Sequence, residues 1–310
     1  MVIIELMGGL GNQLQQYALY RKLVRMGKKA RLDISWFQKQ RDEREETTSR
    51  GLELDRFDRL VYETCNEEEK AELIGADGFS GKLRRKLLPG SVRWFHESEM
   101  YHPEIFDFED MYISGYFACE KYYSDILYDL RERIQFPPSG NPLNREIAQE
   151  MEKCQSVSLH IRRGDYLNAA NKDMFGGICT EAYYKSAQEL MLETFPDARF
   201  FVFSDDAEYA KSHYRGGRYT IIDWNSGEDS FYDMQLMSLC RHNICANSTF
   251  SFWGARFNPH EDKVMVRPTI HKNSQSFEPA LMYDLWKGWN FIDRDGRRFL
   301  SGRGDKTENV

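Results

Sequence analysis

Residues 2–6, Val-Ile-Ile-Glu-Leu, form a short apolar run that predicts a buried strand at the start of the chain. Met7-Gly8-Gly9-Leu10-Gly11-Asn12 follows as a turn that glycine chemistry permits. From Gln13 to Met26, apolar Leu14, Tyr17, Ala18, Leu23 and Val24 recur at helical spacing. Gly27 closes that helix, and residues 30–34 predict the next parallel strand. Between residues 38 and 114 charge is dense and periodicity weak, so irregular structure and short helices are expected. Pro137-Pro138-Ser139-Gly140-Asn141-Pro142 predicts a linker, because proline denies helix and sheet their hydrogen bonds. Beyond it strands are expected at 156–162, 199–204, 219–222, 243–246 and 263–266. Helices are expected between them at 181–193, 207–213, 230–241 and 250–257.

Such alternation implies an α/β fold, with a parallel sheet covered on both faces. The 310 residues suit two domains, placed at 1–140 and 141–300, with a polar tail at 301–310. Ligands of such sheets lie at the carboxyl ends of strands, and two facing domains hold two substrates in their cleft.

Composition narrows the partners. Forty-two basic against 49 acidic residues leave a net charge of −7, which argues against a general nucleic-acid binder while permitting a local phosphate pocket. No apolar stretch approaches the roughly 18 residues of a membrane span. The opening residues read as a strand, with no signal core, so a cytoplasmic location is expected. Six cysteines without CxxC spacing predict free thiols and no zinc site. The basic run Lys82-Leu83-Arg84-Arg85-Lys86 reads as a solvated helix face, with peripheral contact to a membrane surface as the alternative.

Three segments carry chemistry. His160-Ile161-Arg162-Arg163-Gly164-Asp165-Tyr166 ends a strand in two guanidinium groups, which match phosphate oxygens in a bidentate fork. Strand alternation would send Arg162 and Arg163 to opposite sides, and Asp165 could hold one of them in a fixed rotamer; a plain structural ion pair is the alternative. In Ala246-Asn247-Ser248-Thr249-Phe250-Ser251, small polar residues open a helix whose first amides favour an anion, although an ordinary capped helix would look the same. Gly8-Gly9-Leu10-Gly11-Asn12-Gln13 suggests a dinucleotide fingerprint, but Leu14 occupies the third glycine position. The alternative there is backbone approaching a sugar, with Asn12 and Gln13 hydrogen-bonding it. Phe203-Ser204-Asp205-Asp206 is a strand end suited to a ribose, a base edge or an N-cap.

Together these blocks resemble the α-1,2-fucosyltransferases of the bacterial family that includes the animal blood-group H enzymes. The matching residues are Gly8 to Gln13 with Tyr17-Ala18, His160 to Tyr166, Phe203 to Asp206, and Asp233 to Ala255, in order over residues 3 to about 266. The His-x-Arg-Arg-x-Asp block also recurs in α-1,6- and protein O-fucosyltransferases. Gln15 stands where the family usually has Phe, Ala246 where it usually has Ser, and Phe252 where it often has Trp. The resemblance implies a GT-B-like fold of two Rossmann-like domains facing a cleft, GDP-fucose as donor substrate, no cofactor and no metal. It implies inverting transfer to the 2-hydroxyl of a terminal galactose, on an oligosaccharide or a lipid-linked glycan. By resemblance Arg162, Arg163 and Asp165 form the catalytic set, while His160, Ser204, Asp205, Asn247, Ser248, Thr249 and Ser251 bind the donor. Gly9, Gly11, Asn12 and Gln13 would lie on the acceptor and fucose side. The general base is left unassigned, with Glu5 and Asp33 available. A transferase of other linkage and a non-catalytic nucleotide-sugar binder are the alternatives.

Overall fold

The structure is a computed structural model that describes residues 1–42, 51–76, 92–98, 100–169 and 171–301. The chain divides into two compact units, Met1–Pro137 and Pro138–Val310. The basic run Lys82 to Lys86 and the tail beyond Ser301 lie outside the described residues.

The first unit is built on a four-stranded parallel sheet in the order β2-β1-β4-β3. Its strands are β1 (Val2–Glu5), β2 (Ala30–Asp33), β3 (Trp94–His96) and β4 (Met111–Ser114). β3 and β4 correct the expectation of irregular structure and short helices over 38–114. Three- and four-residue strands are too short to show periodicity, and only the pairing of β4 with β1 and of β3 with β4 identifies them. The first helix, α1 (Leu10–Arg25), begins three residues earlier than the apolar pattern suggested. Gly9 is its N-cap and lacks a side chain to cap with, so the Glu53 carboxylate accepts the Leu10 N–H at 2.9 Å instead. Gly8, at φ +80°, is required at the entry: a Cβ there would stand 2.7 Å from the Asn12 amide nitrogen.

The second unit carries a seven-stranded sheet in the order β11-β10-β9-β8-β5-β6-β7. The strands are β5 (Ser156–Ile161), β6 (Arg199–Ser204), β7 (Tyr219–Ile222), β8 (His242–Ile244), β9 (Met265–Pro268), β10 (Trp289–Ile292) and β11 (Arg298–Phe299). All pairs are parallel except β10 with β11. Period-two alternation sends Phe200 and Val202 into one apolar layer, with Tyr183 and Met191 of the helix Glu181–Thr194. Phe201 and Phe203 enter the opposite layer, with Ile147, Leu236 and Met237. A sheet covered on both faces results, as expected, and β5 in its interior is buried along its whole length.

The last two strands were not anticipated, and β8 and β9 sit one or two residues off the expected positions. The linker reading is corrected at its end: Pro142 opens the helix Pro142–Glu152 under an Asn141 cap, the one helical position where proline loses no hydrogen bond.

Candidate active site

In the second sheet the chain order runs outward from β5 in one direction and from β8 in the other. That reversal creates a switch point between their carboxyl ends, where open parallel sheets bind ligands. Both chemistry-bearing blocks of this unit leave the sheet there. β5 delivers Arg162-Arg163-Gly164-Asp165, and β8 leads through Ala246 to Asn247-Ser248-Thr249 at the start of the helix Thr249–Phe257.

The arginines go to separate partners. Arg162 Nε donates to Asp165 Oδ1 at 2.9 Å, its Nη2 lies 2.8 Å from the same oxygen, and Asp205 Oδ2 is 3.2 Å from Nε. Burial opposes its charge, but Asp205 and Asp165 outweigh that and raise its pKa further. Arg163 donates from Nε to Asp206 Oδ2 at 3.1 Å, and its guanidinium lies 3.7 Å from the Tyr209 ring centroid. Asp165 therefore acts by holding Arg162, as its sequence position suggested. Among the described residues, Arg162 Nη1 and the two Nη groups of Arg163 make no hydrogen bond to protein. Both side chains are partly exposed, with relative accessibilities of 25% and 32%, so those N–H groups are left for an anion.

Asp205 has a different occupation from the one expected. Besides Arg162, it accepts the Arg163 backbone N–H at 2.8 Å and so ties the end of β5 to the end of β6. The N-cap of the helix Ala207–His213 is Asp206, which accepts Tyr209 N–H at 3.0 Å. Ser204 Oγ accepts the Asp206 N–H at 3.0 Å. His160 is 5% exposed at the end of β5, and its Nδ1 has no hydrogen-bond partner among the described residues. Burial, followed by the Arg162 charge, lowers its pKa to about 3, so it meets any ligand as a neutral imidazole.

Asn247 is drawn inward, donating from Nδ2 to the carbonyls of Phe175 and His271, each at 3.1 Å. Its Oδ1 lies 3.6 Å from Cys179 Sγ, and its side chain braces three segments rather than facing the switch point. Ser248 takes the N-cap position without a side-chain cap bond. Ser251 Oγ donates back to the Ser248 carbonyl at 3.2 Å. Thr249 is half-buried at the first helical position. Together they present the amino end of a helix, with its positive dipole end, beside the arginines' strand.

In the first unit Gly9 and Gly11 are buried in the entry to α1, and Asn12 is half-buried in its first turn. Gln13 is fully buried. Its Nε2 donates to the carbonyls of Gly8 and Gly51 at 2.9 and 3.0 Å, and its Oε1 accepts Glu53 N–H at 2.8 Å. That amide is saturated by backbone and positions the glycine turn. Asp33 is likewise engaged, by Lys70 Nζ at 2.7 Å, Tyr112 Oη at 2.7 Å and Ser35 N–H at 2.9 Å. Burial works against its ionisation, but these partners prevail and lower its pKa, which suits a structural carboxylate and not a base. Sequence reasoning missed Tyr209 and Glu53 as partners. An aromatic three residues past a helix-capping Asp was a usable signal for Tyr209, whereas nothing local to Glu53 connects it with Leu10.

The description Glycosyl transferase family 11 matches residues 102–293. This chain belongs to that family. The family-11 chain is 31% identical over 289 residues to an alpha-1,2-colitosyltransferase of Escherichia coli, covering 90% of this chain and 96% of that protein. It is 30% identical over 151 residues to the galactoside alpha-(1,2)-fucosyltransferase 1 of Sus scrofa, covering 47% of this chain and 41% of that one. A solved structure of NodZ alpha-1,6-fucosyltransferase soaked with GDP-fucose superposes with a TM-score of 0.44 at 14% identity, over 83% of this chain and 92% of it. As a family-11 member the chain is a glycosyltransferase, and its two α/β units on parallel sheets agree with the fold class read from the sequence. No helix among the described residues is long and apolar enough to cross a membrane.

Proposed function

We propose that this glycosyltransferase moves L-fucose from GDP-fucose to the 2-hydroxyl of a terminal galactose, with inversion and without a metal ion. In that reaction the bond from the fucose C1 to the β-phosphate oxygen breaks and its electron pair leaves on GDP. A bond forms from the galactose O2 to C1, and the hydroxyl proton passes to a base. The developing charge on the β-phosphate is the quantity the protein must stabilise. The observation that carries the reading is the pair Arg162–Arg163 at the switch point, fixed by Asp165, Asp205 and Asp206 with guanidinium N–H groups to spare. The helix start at Ser248 adds aligned amides on the neighbouring strand. The reading gives the leaving-group charge to these arginines and to the helix start.

The α-1,2 linkage is supported by the names of both relatives, and the galactoside acceptor by the mammalian one. The bacterial relative favours a second donor: colitose is the 3-deoxy counterpart of fucose, and the same phosphate contacts would serve it. The test offers GDP-fucose and GDP-colitose with a panel of β-galactosides, followed by linkage analysis of any product. Transfer from GDP-fucose to O2, undiminished by EDTA, is the expected result. Transfer from GDP-colitose alone would replace the donor, and loss with EDTA reversed by Mn²⁺ would overturn the metal-free mechanism. Arg162→Ala should lower kcat by about 10²-fold, the scale of a lost oxyanion-type donor. Turnover at the wild-type rate in that variant would remove the clamp assignment.

A further inference from the structure

Arg163 is gripped by one short stretch of chain, residues 205–209, that follows β6. Asp205 Oδ1 accepts its backbone N–H at 2.8 Å, and Asp206 Oδ2 accepts its Nε–H at 3.1 Å. Its guanidinium carbon stands 3.7 Å from the centroid of the Tyr209 ring, too close for any approach except over the ring face. The grip is encoded in the helix Ala207–His213. Asp206 caps that helix by accepting the Tyr209 N–H at 3.0 Å. Helical side chains lean back over the preceding turn, so the Tyr209 ring returns toward the carboxylate that caps its own amide. Edge and face of one guanidinium are thereby met from a single helix start.

The ring is itself backed. His213, one turn further along, stacks on Tyr209 with ring centroids 3.8 Å apart and planes 22° from parallel. Two groups this near one centroid occupy opposite faces, which places the phenol between guanidinium and imidazole. The imidazole is held in turn, its Nδ1 lying 2.8 Å from Ser212 Oγ and 2.9 Å from the Tyr209 carbonyl. Tyr209 also packs at the margin of the apolar layer that contains Leu159 and Val202. A ring so enclosed is a fixed platform.

Arg162, by contrast, is held by two carboxylates, Asp165 and Asp205. Each carboxylate spends N–H groups and offsets charge. A ring face fixes the guanidinium plane and spends no N–H group, so at Arg163 only Nε is committed, to Asp206. We propose that Tyr209 is a positioning residue of the transfer, its ring holding the Arg163 guanidinium beside Asp206 while both terminal nitrogens stay available to the leaving diphosphate. The role rests on the reading of Arg163 as a phosphate ligand, and the two are separable by experiment.

The experiment measures GDP affinity by isothermal titration calorimetry, and steady-state transfer from GDP-fucose or GDP-colitose, on the full chain and its variants. Tyr209→Leu and Tyr209→Met keep apolar bulk and remove the ring. Each should weaken GDP binding and lower kcat about threefold to tenfold, the scale of a partly exposed cation–π contact. Tyr209→Phe should restore both to within about twofold of wild type, because the face and not the hydroxyl is used. In an Arg163→Ala background Tyr209→Leu should add nothing, since it acts only through that guanidinium. Losses below about threefold in both ring-free variants would overturn the proposal. So would an equal loss from Tyr209→Leu with and without Arg163, the pattern of a merely structural residue, or a Tyr209→Phe variant as impaired as Tyr209→Leu. Loss in Arg163→Ala with none in the Tyr209 variants removes the platform and leaves the clamp. Wild-type GDP affinity and turnover in Arg163→Ala removes the clamp, and the platform with it.

Discussion

Gln15 lies wholly inside the core face of α1, and neither its amide nitrogen nor its oxygen has a hydrogen-bond partner among the described residues. A buried amide without partners costs on the order of 1–3 kcal/mol, and an apolar side chain of similar length would not incur it. Gln15→Leu is therefore expected to raise the thermal midpoint of the first unit by about 3–10 °C, read by differential scanning calorimetry. A lower midpoint would mean that the site has a polar requirement. The neighbouring glutamines Gln13, Gln15 and Gln16 look alike in sequence, yet Gln13 and Gln16 are saturated. Gln16 Nε2 donates to Gly115 O at 2.9 Å and its Oε1 accepts Met7 N–H at 3.0 Å. Residue type marked Gln13 and Asn247 as ligand contacts, and their burial among backbone groups makes them braces instead. Arg162 and Arg163 stood out in the sequence as two guanidinium groups at a strand end, but which aspartate pairs with each was not legible there.

At the scale of elements, the active-site candidates depend on how two strand-end segments meet. Gly164 follows β5, and a Cβ there would stand 2.6 Å from Asp205 Oδ2 after β6. Asp205 holds both the Arg163 N–H and the Arg162 guanidinium, so any side chain at residue 164 displaces the part that aligns the two arginines. Gly164→Ala is expected to cut kcat by tenfold or more while leaving the thermal midpoint within a few degrees, because the strain falls on an exposed turn and not on the core. Near-normal turnover would show that the turn adapts without moving the arginines. β6 was readable as a strand because it carries a continuous apolar run into two packed layers, and β5 because Val157, Leu159 and Ile161 alternate with Ser156, Ser158 and His160. β3 and β4 were not, since a three- or four-residue strand between charged segments acquires its identity only from its neighbours.

For the molecule as a whole, pH acts on the second unit through buried groups of opposite sense. Burial, partly offset by the Asn225 hydrogen bond, raises the Asp233 carboxyl to about 7, against an ordinary value of ~3.9. The folded unit then holds a proton that the unfolded chain has released, so this group's contribution is complete below pH ~3.9 and is lost as pH rises to about 7. Burial lowers His160 to about 3 and His242 to about 4, and their contributions run the other way, complete above pH ~6.5 and lost as pH falls toward those values. Asp233→Asn removes only the first effect. Denaturant titrations should show the variant gaining on wild type from pH ~4 to ~7, at up to roughly 1.4 kcal/mol per pH unit, and keeping a constant advantage above that. A difference independent of pH would place the Asp233 carboxyl at its ordinary value.

Sequence alone determined the alternation of strand and helix in the second unit, the glycine entry to α1 and the arginine pair, because each is encoded by neighbours in the chain. Tertiary structure decided which polar side chains are spent on backbone, which carboxylate holds which guanidinium, and which ring covers Arg163. Those outcomes depend on strand order and on burial, which bring together groups as many as 99 positions apart (Gln16 to Gly115) and which no local pattern of residues expresses.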